Sequence, residues 1–359
     1  MKLRKRYKYG LALSVVLCIN VLLIVYCLPW GIALIVAEFL FITSLLVFGG
    51  LNILVKHTNW YRNLFAYTNQ MCTNLGYRDY LIRNLSVVNV GSNPARFAFH
   101  YEKVLGENWS TGNQGLDMDF EILKFRHSFI KKGGVVLLPL VAFSGVSGYL
   151  RNKPQYTGIR YYAKFAKTLD PLQASLIPEV SNANKLVRFP LLVEPKSIRY
   201  LILDEQPDNR LMIDNMPLMY PQLLEDARHM MESWLEEFGM NSIDAPLSEE
   251  LKKGMDISVM TIRTMIDFLV ERDLKPVIIL TPMSEPLQKY FTENVKKKLI
   301  YDFIEKINRP AVQFLDYSND KEFQNPELYF NCLFMNLKGR KLFTKQVLKD
   351  LGIYDKEEK

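Results

Sequence analysis

Three loops carry the polar residues that could perform chemistry in this sequence. The first, residues 90–93 (VGSN), directly follows the apolar run 86–90 (SVVNV). The second, residues 139–145 (PLVAFSG), follows the apolar run 135–140. The third, residues 329–339 (YFNCLFMNLKG), precedes the last helical pattern. Because ligands of open α/β sheets bind outside the carboxyl ends of the strands, the sequence predicts that these loops meet at one edge of a sheet.

Ser92 is the candidate nucleophile of the first loop. A serine hydroxyl attacks efficiently only when a neighbouring base, usually a histidine, removes its proton. His100 and His127 are the histidines that could take this role. The alternative is structural. In that interpretation the Ser92 hydroxyl caps a helix that starts after Pro94, and either histidine is a hydrogen-bonded or solvent-facing side chain.

Other motifs are weaker. Asp117-Met118-Asp119 has the Asp-x-Asp pattern of metal-dependent glycosyltransferases, but it falls in the first turn of a predicted helix, where the helix dipole favours acids. Residues 284–286 (SEP) follow an apolar run and either touch a ligand or start a helix. No Cys/His cluster has metal-binding spacing, and no Gly-rich phosphate loop occurs. The sequence therefore predicts no metal and no cofactor.

Short apolar runs alternate with longer helical patterns along most of the chain. Strands are predicted at 86–90, 135–140, 276–280 and 312–315, and helices at 97–101, 114–131, 247–273, 286–308 and 338–350. This alternation indicates an α/β fold with a doubly wound, flavodoxin-like parallel sheet sandwiched by helices. Residues 143–245 contain eight prolines and lose the rhythm, so an irregular insertion is expected there.

The N-terminal region predicts a membrane anchor. Residues 9–55 contain no Lys, Arg or Asp, and Glu38 is their only acid. This length is about twice what one helix needs to cross a ~30 Å hydrocarbon core. A turn at Pro29-Trp30-Gly31 would divide it into a transmembrane helical hairpin, with helices at about 9–28 and 32–54. We expect an anchor at 1–55 and an α/β domain at 56–359. Glu38 is either functional or a buried hydrogen-bonding group.

Charge indicates how the anchor is oriented. Residues 1–55 hold five basic residues and one acid, hence +4 of the net +7. The remaining +3 argues against a nucleic-acid surface. Basic residues also follow the second predicted helix, so two crossings would place the domain on the cytoplasmic face of a bacterial membrane, and a single crossing would place it outside. The four cysteines give no disulfide framework: Cys18 and Cys27 lie in the apolar run, Cys72 and Cys332 outside it.

Together the three loops resemble those of the SGNH/GDSL hydrolase superfamily. More narrowly they resemble membrane-linked members of cell-surface polysaccharide biosynthesis, such as relatives of the teichoic-acid D-alanylation protein. In that superfamily the first strand ends in Gly-Asp-Ser or Gly-Ser-Ser, whose last serine is the nucleophile. A late Asp-x-x-His completes the triad, often followed by Leu-Asn-x-x-Gly. A glycine of a second conserved block, matched here by residues 111–115, and an asparagine of a third, matched here by residues 139–145, complete the oxyanion hole. The resemblance covers roughly 86–350, apart from the insertion.

Transferred to this chain, the motif is largely substituted. Asn93 stands at the nucleophile, Asn331 at the triad aspartate and Phe334 at the histidine, whereas Gly112 or Gly115 fits the second-block glycine. Residues 139–145 hold no asparagine. Because phenylalanine cannot accept a proton, the resemblance implies an SGNH-type fold with a degraded triad.

The resemblance further implies a role in assembling or modifying polysaccharide of the bacterial cell envelope. Such a protein would bind a glycan, a lipid-linked intermediate or a partner such as a membrane-bound acyltransferase. The alternative is an active esterase or O-acyltransferase that uses Ser92, for example in polysaccharide O-acetylation. A purely structural membrane scaffold is the third possibility.

Overall fold

The structure, a computed structural model, describes residues 29–64, 82–151, 153, 159, 162–163, 178–206 and 217–353. The chain divides into two compact units. The first comprises residues up to Thr58 together with Phe189–Glu205, and the second comprises Asn59–Arg188 and the chain from Gln206 onward. The predicted helix at 9–28 lies outside the described residues, as do Cys18, Cys27 and Cys72.

Helices and strands alternate along the described chain; the elements within 30–56 and 189–205 belong to the first unit and the others to the second. The helices are α1 Trp30–Lys56, α2 Asn59–Leu64, α3 Asn93–Arg96, α4 Leu116–Arg126, α5 Pro178–Arg188, α6 Pro190–Val193, α7 Tyr220–Glu237, α8 Glu249–Val270, α9 Glu285–Gln288, α10 Glu293–Lys296, α11 Asp302–Ile307 and α12 Leu337–Asp350. The strands are β1 Leu85–Asn89, β2 Gly106–Asn108, β3 Ile130–Leu140, β4 Lys275–Leu280 and β5 Gln313–Asp316. Short 3₁₀ turns lie at His127–Phe129, Ser147–Leu150, Pro195–Leu201 and Pro326–Leu328, and a π turn at Lys297–Tyr301.

In the first unit, α1 is the one described helix that is long and apolar enough to cross a membrane. Its 27 residues span about 40 Å at 1.5 Å per residue, more than the ~30 Å hydrocarbon core. The helix covers the second predicted crossing, 32–54. Glu38 lies exposed on it.

The second unit is built on a five-stranded sheet in which every pairing is parallel, in the order β2-β1-β3-β4-β5. The predicted α/β class with a parallel sheet is therefore confirmed. Val87 and Val88 of β1 are fully buried, and so are Ile278 and Ile279 of β4, which are at most 3% exposed. Because successive side chains of a strand point to opposite faces, protein covers the sheet on both sides.

The long helix α8 shows how sequence places a covering layer. The Ser248 hydroxyl accepts a hydrogen bond from the Leu251 backbone N–H and so caps its first turn. Apolar residues then recur at helical spacing, and the buried ones are Leu251, Met255, Val259, Ile262, Met265, Ile266 and Leu269. The helix packs against β4, α4 and α11. It matches the helix predicted at 247–273.

The prediction of a helix over 114–131 was wrong at its end, because α4 stops at Arg126 and β3 already begins at Ile130. The glycine pair, expected to end the helix, instead interrupts the strand. Leu85 pairs with Ile130 but Val87 with Val135, so β3 bulges between them. Gly133 has φ of +71°, and a Cβ on Gly134 would meet the Ile130 side chain at 2.5 Å.

Three further expectations differ from the structure. The predicted helix at 97–101 is absent: α3 ends at Arg96 and an irregular segment follows. The predicted helix at 286–308 is broken into α9, α10, the π turn and α11. The irregular stretch expected at 143–245 contains the 18-residue helix α7.

Candidate functional site

A cavity of about 610 Å³ lies at the carboxyl ends of β1, β3 and β4. The loop after β1, the start of α4 and the loop after β3 form part of its wall, and further parts come from α7, α8, Thr281 after β4 and the third loop at Phe334. Strand order reverses beside it, since β2 and β3 lie on opposite sides of β1. This is where open α/β sheets bind their ligands. Its volume falls in the range of small-molecule sites.

Gly91 shapes the loop that follows β1. Its φ is +121°, and a Cβ placed there would lie 2.7 Å from the Cβ of Ala95. Only glycine adopts this conformation without strain, and any side chain would also collide with α3. The turn aims the Gly91 backbone N–H at Asp119, whose Oδ1 accepts its hydrogen bond at 2.9 Å.

Ser92 and Asn93 follow in the same wall. Ser92 occupies the N-cap position of α3, as the structural interpretation predicted, but its hydroxyl makes no capping hydrogen bond. Asn93 is the first residue of α3. Its Oδ1 is buried and has no hydrogen-bond partner among the described residues.

Asp119 holds the first loop to α4. It is only 4% exposed, and its Oδ1 also accepts a hydrogen bond from Gln114 Nε2. Burial is the main reason that the pKa of the Asp119 carboxyl is raised to about 7. The hydrogen bonds from Gln114 and Gly91 lower this pKa, and the charge of Asp117 raises it further. The group therefore changes charge near neutral pH, inside the wall of the cavity.

Gln114 is held between Asp119 and Trp109, the residue that follows β2. Its Nε2 donates to Asp119 and to the Trp109 carbonyl at 3.3 Å, so its Oε1 is the end left to accept. That oxygen is buried and has no hydrogen-bond partner among the described residues. Gly115, the N-cap of α4, lines the cavity, whereas Gly112 does not.

A buried amide network supports the end of β1 below this loop. Asn89 Nδ2 donates to Asn108 Oδ1 at 2.8 Å and to Ser110 Oγ at 2.7 Å, while its Oδ1 accepts from the Tyr101 hydroxyl at 3.0 Å. Asn108 Nδ2 in turn donates to the Arg96 carbonyl at 3.1 Å. The network therefore ties β1, β2 and the end of α3 together.

The third loop is held by hydrogen bonds of its own. Asn331 Oδ1 accepts from the backbone N–H groups of Leu333 and Phe334, at 2.9 and 2.6 Å. The Ser284 hydroxyl donates to the Cys332 carbonyl at 2.6 Å, so the residue expected either to touch a ligand or to start a helix ties this loop to α9. Asn331 closes a turn and does not line the cavity.

Phe334, the residue that the sequence comparison set against a triad histidine, does line the cavity. Its ring centroid lies 5.1 Å from that of Phe97 and 5.9 Å from that of Phe330. The Asn-x-x-Gly tail has a structural role. Asn336 Oδ1 caps α12 by accepting from Gly339 N–H, and a Cβ on Gly339 would meet the Leu328 carbonyl oxygen at 2.3 Å.

No histidine lines the cavity, although all four histidines of the chain fall within the described residues. His100 Nε2 hydrogen-bonds Glu102 at 2.8 Å, and His127 Nδ1 hydrogen-bonds the Lys124 carbonyl at 2.9 Å. His229 is exposed and pairs with glutamates of α7, and His57 follows α1. The wall thus combines a serine hydroxyl with a buried carboxyl but no imidazole.

No group of three or more His, Cys, Asp or Glu side chains within the described part of the chain could hold a metal ion. No protein-family model matches this chain, and a search of curated proteins finds no match. The interpretation of the site therefore depends on its geometry.

Proposed function

We propose that this chain is a membrane-anchored SGNH-hydrolase-like protein of the bacterial cell envelope that binds a glycan or lipid-linked glycan without cleaving it. It would act in the assembly or modification of surface polysaccharide, alongside a partner such as a membrane-bound acyltransferase. The observation that carries the proposal is the cavity itself. Ser92 stands in its wall, yet none of the four histidines does.

The strand order supports the proposed framework. The order 2-1-3-4-5 with all strands parallel is that of doubly wound, flavodoxin-like sheets. The cavity lies at the reversal of that order, where the SGNH resemblance places the nucleophile loop. Of the positions transferred from the family, Ser92, Asn93, Gly115 and Phe334 meet in the cavity wall.

The chemistry of the wall favours a ligand rich in hydroxyl groups. Gln114 Oε1 and Asn93 Oδ1 are acceptors that no described group satisfies, and a buried acceptor without a donor costs about 1–3 kcal/mol. A sugar hydroxyl can supply the donor after a small side-chain rotation. Trp234, Phe143 and Phe334 add aromatic surface to the same cavity, which suits the apolar faces of sugar rings.

Saturation-transfer NMR tests the proposal with the full-length protein in detergent micelles. The probes are mono-, di- and trisaccharides of hexose and N-acetylhexosamine. We expect transfer to at least one probe, and Gln114→Leu should weaken its binding roughly tenfold, since one lost hydrogen bond is worth about 1–1.5 kcal/mol.

His229→Ala serves as the matched control, because His229 is exposed and does not line the cavity. Failure of every probe to bind, or equal binding by the Gln114 and His229 variants, would contradict the proposal.

Two observations favour a second candidate, an active esterase or O-acyltransferase. The Ser92 hydroxyl makes no capping bond, and Asp119, with its raised pKa, belongs to the same wall. In this alternative the Asp119 carboxylate replaces the missing imidazole as general base. Hydrolysis of an activated acetyl ester separates the candidates. If the protein is an esterase, the rate falls in Ser92→Ala and in Asp119→Asn. If it only binds its ligand, wild type and both variants show the same background rate.

A further inference from the structure

Residues 189–205, here called the interfacial segment, belong to the same compact unit as α1 and not to the α/β unit. They form α6 and the 3₁₀ turn Pro195–Leu201, and both elements pack on α1. Pro190 and Leu191 of α6 are buried. The segment was expected to be part of the irregular insertion, so its association with the apolar helix was not apparent from the sequence.

A specific hydrogen bond fixes where the segment docks. Asn52 of α1 is 2% exposed, and its Oδ1 accepts from the Leu191 backbone N–H at 3.0 Å, while its Nδ2 donates to Phe48 O at 2.8 Å. Asn52 lies 22 residues beyond Trp30, or about 33 Å along the helix axis at 1.5 Å per residue. With Trp30 at one boundary of a hydrocarbon core ~30 Å thick, Asn52 falls at the other.

The segment exposes several apolar side chains. Ile202 is 88% exposed, Leu203 73% and Leu192 58%. Single exposed apolar residues are ordinary on protein surfaces, but here Leu201, Ile202 and Leu203 are consecutive, and Leu201 ends the 3₁₀ turn that packs on α1. Only 6% of the most apolar window of α1 is itself buried by protein.

We propose that the interfacial segment inserts into the lipid headgroup region beside the end of α1, with its apolar side chains reaching the upper acyl chains. Its charges do not attract it there. It holds two basic residues, Lys196 and Arg199, against three acids, Glu194, Asp204 and Glu205. Burial of apolar surface is therefore the attraction, and anionic lipid is not required. The inference depends on α1 crossing the bilayer and is independent of what the cavity binds.

Depth-dependent quenching tests the insertion in full-length protein reconstituted into phosphatidylcholine bilayers. An environment-sensitive fluorescent amino acid replaces Ile202, or in separate samples Leu45 of α1 and the exposed Glu249 of α8. We expect a nitroxide on the upper acyl chain to quench the probe at 202 and aqueous iodide to leave it unaffected. The probe at 249 should respond in the opposite way.

Each other outcome overturns the insertion. Quenching at 202 by iodide would place the segment in water, and resistance to both quenchers would mean that protein, such as a second copy of the chain, covers it. Quenching that requires phosphatidylglycerol would replace apolar insertion by charge attraction. The probe at 45 shows which claim has failed. Lipid quenching at 45 without lipid quenching at 202 would mean that α1 crosses the bilayer but that the interfacial segment does not insert.

Discussion

The raised pKa of Asp119 predicts that ionisation of this one carboxyl destabilises the protein across the neutral range. In the unfolded chain the group ionises near its ordinary pKa of 3.8, whereas in the folded protein it does so near 7. Between these values the unfolded state has lost the proton and the folded state retains it. Stability therefore falls as pH rises from about 4 to about 7, and the loss is complete above 7.

The size of the effect follows from the shift. A difference of about three pKa units at 1.36 kcal/mol each gives ~4 kcal/mol, which is the upper limit of the decrease in the free energy of unfolding when Asp119 ionises. Asp119→Asn cannot ionise, and its amide oxygen can still accept from Gly91 N–H and Gln114 Nε2. The free energy of unfolding of the variant minus that of wild type should therefore increase by up to ~4 kcal/mol between pH 4 and pH 8.

Urea unfolding of the full-length protein in detergent micelles measures this difference at each pH. Tryptophan fluorescence is a suitable signal, since Trp109 is fully buried and its carbonyl accepts from Gln114. Subtracting wild type from variant cancels the other titrating groups. Asp117→Asn is the control: Asp117 is exposed in the same helical turn and is the smallest of the causes that shift the pKa of Asp119, so its difference from wild type should change only slightly with pH. A difference for Asp119→Asn that stays constant from pH 4 to pH 8 would refute the reasoning.

Two further predictions concern the stability of the first and third loops. Gly91→Ala should lower the free energy of unfolding by about 2–4 kcal/mol, because of the positive φ and the collision with Ala95. The control is Gly133→Ala, since Gly133 shares the positive φ but a Cβ there meets no atom within 4 Å. This variant should lower the free energy of unfolding by less in the same urea titration. Ser284→Ala should cost about 1 kcal/mol by removing the hydroxyl bond to the Cys332 carbonyl, and an unchanged urea midpoint would show that this bond does not stabilise the loop.

Much of the fold could be predicted from the sequence because most strands are short apolar runs buried on both sides. Residues 86–90 and 276–280 correspond closely to β1 and β4. β2 was missed because its three residues, Gly106–Asn108, include no apolar side chain, and it exists only by pairing with β1. The extension of β3 back to Ile130 was hidden by its glycine pair, which has the same signature as a helix end.

The candidate site was predictable where position follows from topology. Loops after parallel strands share one edge, so Ser92, Asn93 and Phe334 could be expected together, and they line one cavity. Asp119 was missed. Acids in the first turn of a helix are usually exposed, and which of Asp117 and Asp119 turns inward depends on how α4 rotates against the sheet. The Asp-x-Asp spacing of these two residues was the only local signal in the sequence.

The central claim is that no base activates Ser92, and reaction with a fluorophosphonate tests it most directly. Such reagents modify a serine that an adjacent base has deprotonated and leave ordinary hydroxyl groups unmodified. The full-length protein is treated at neutral pH beside a known serine hydrolase, and the peptide that contains Ser92 is weighed by mass spectrometry. The account predicts an unmodified peptide. A phosphonate adduct at Ser92, absent from Ser92→Ala, would contradict it.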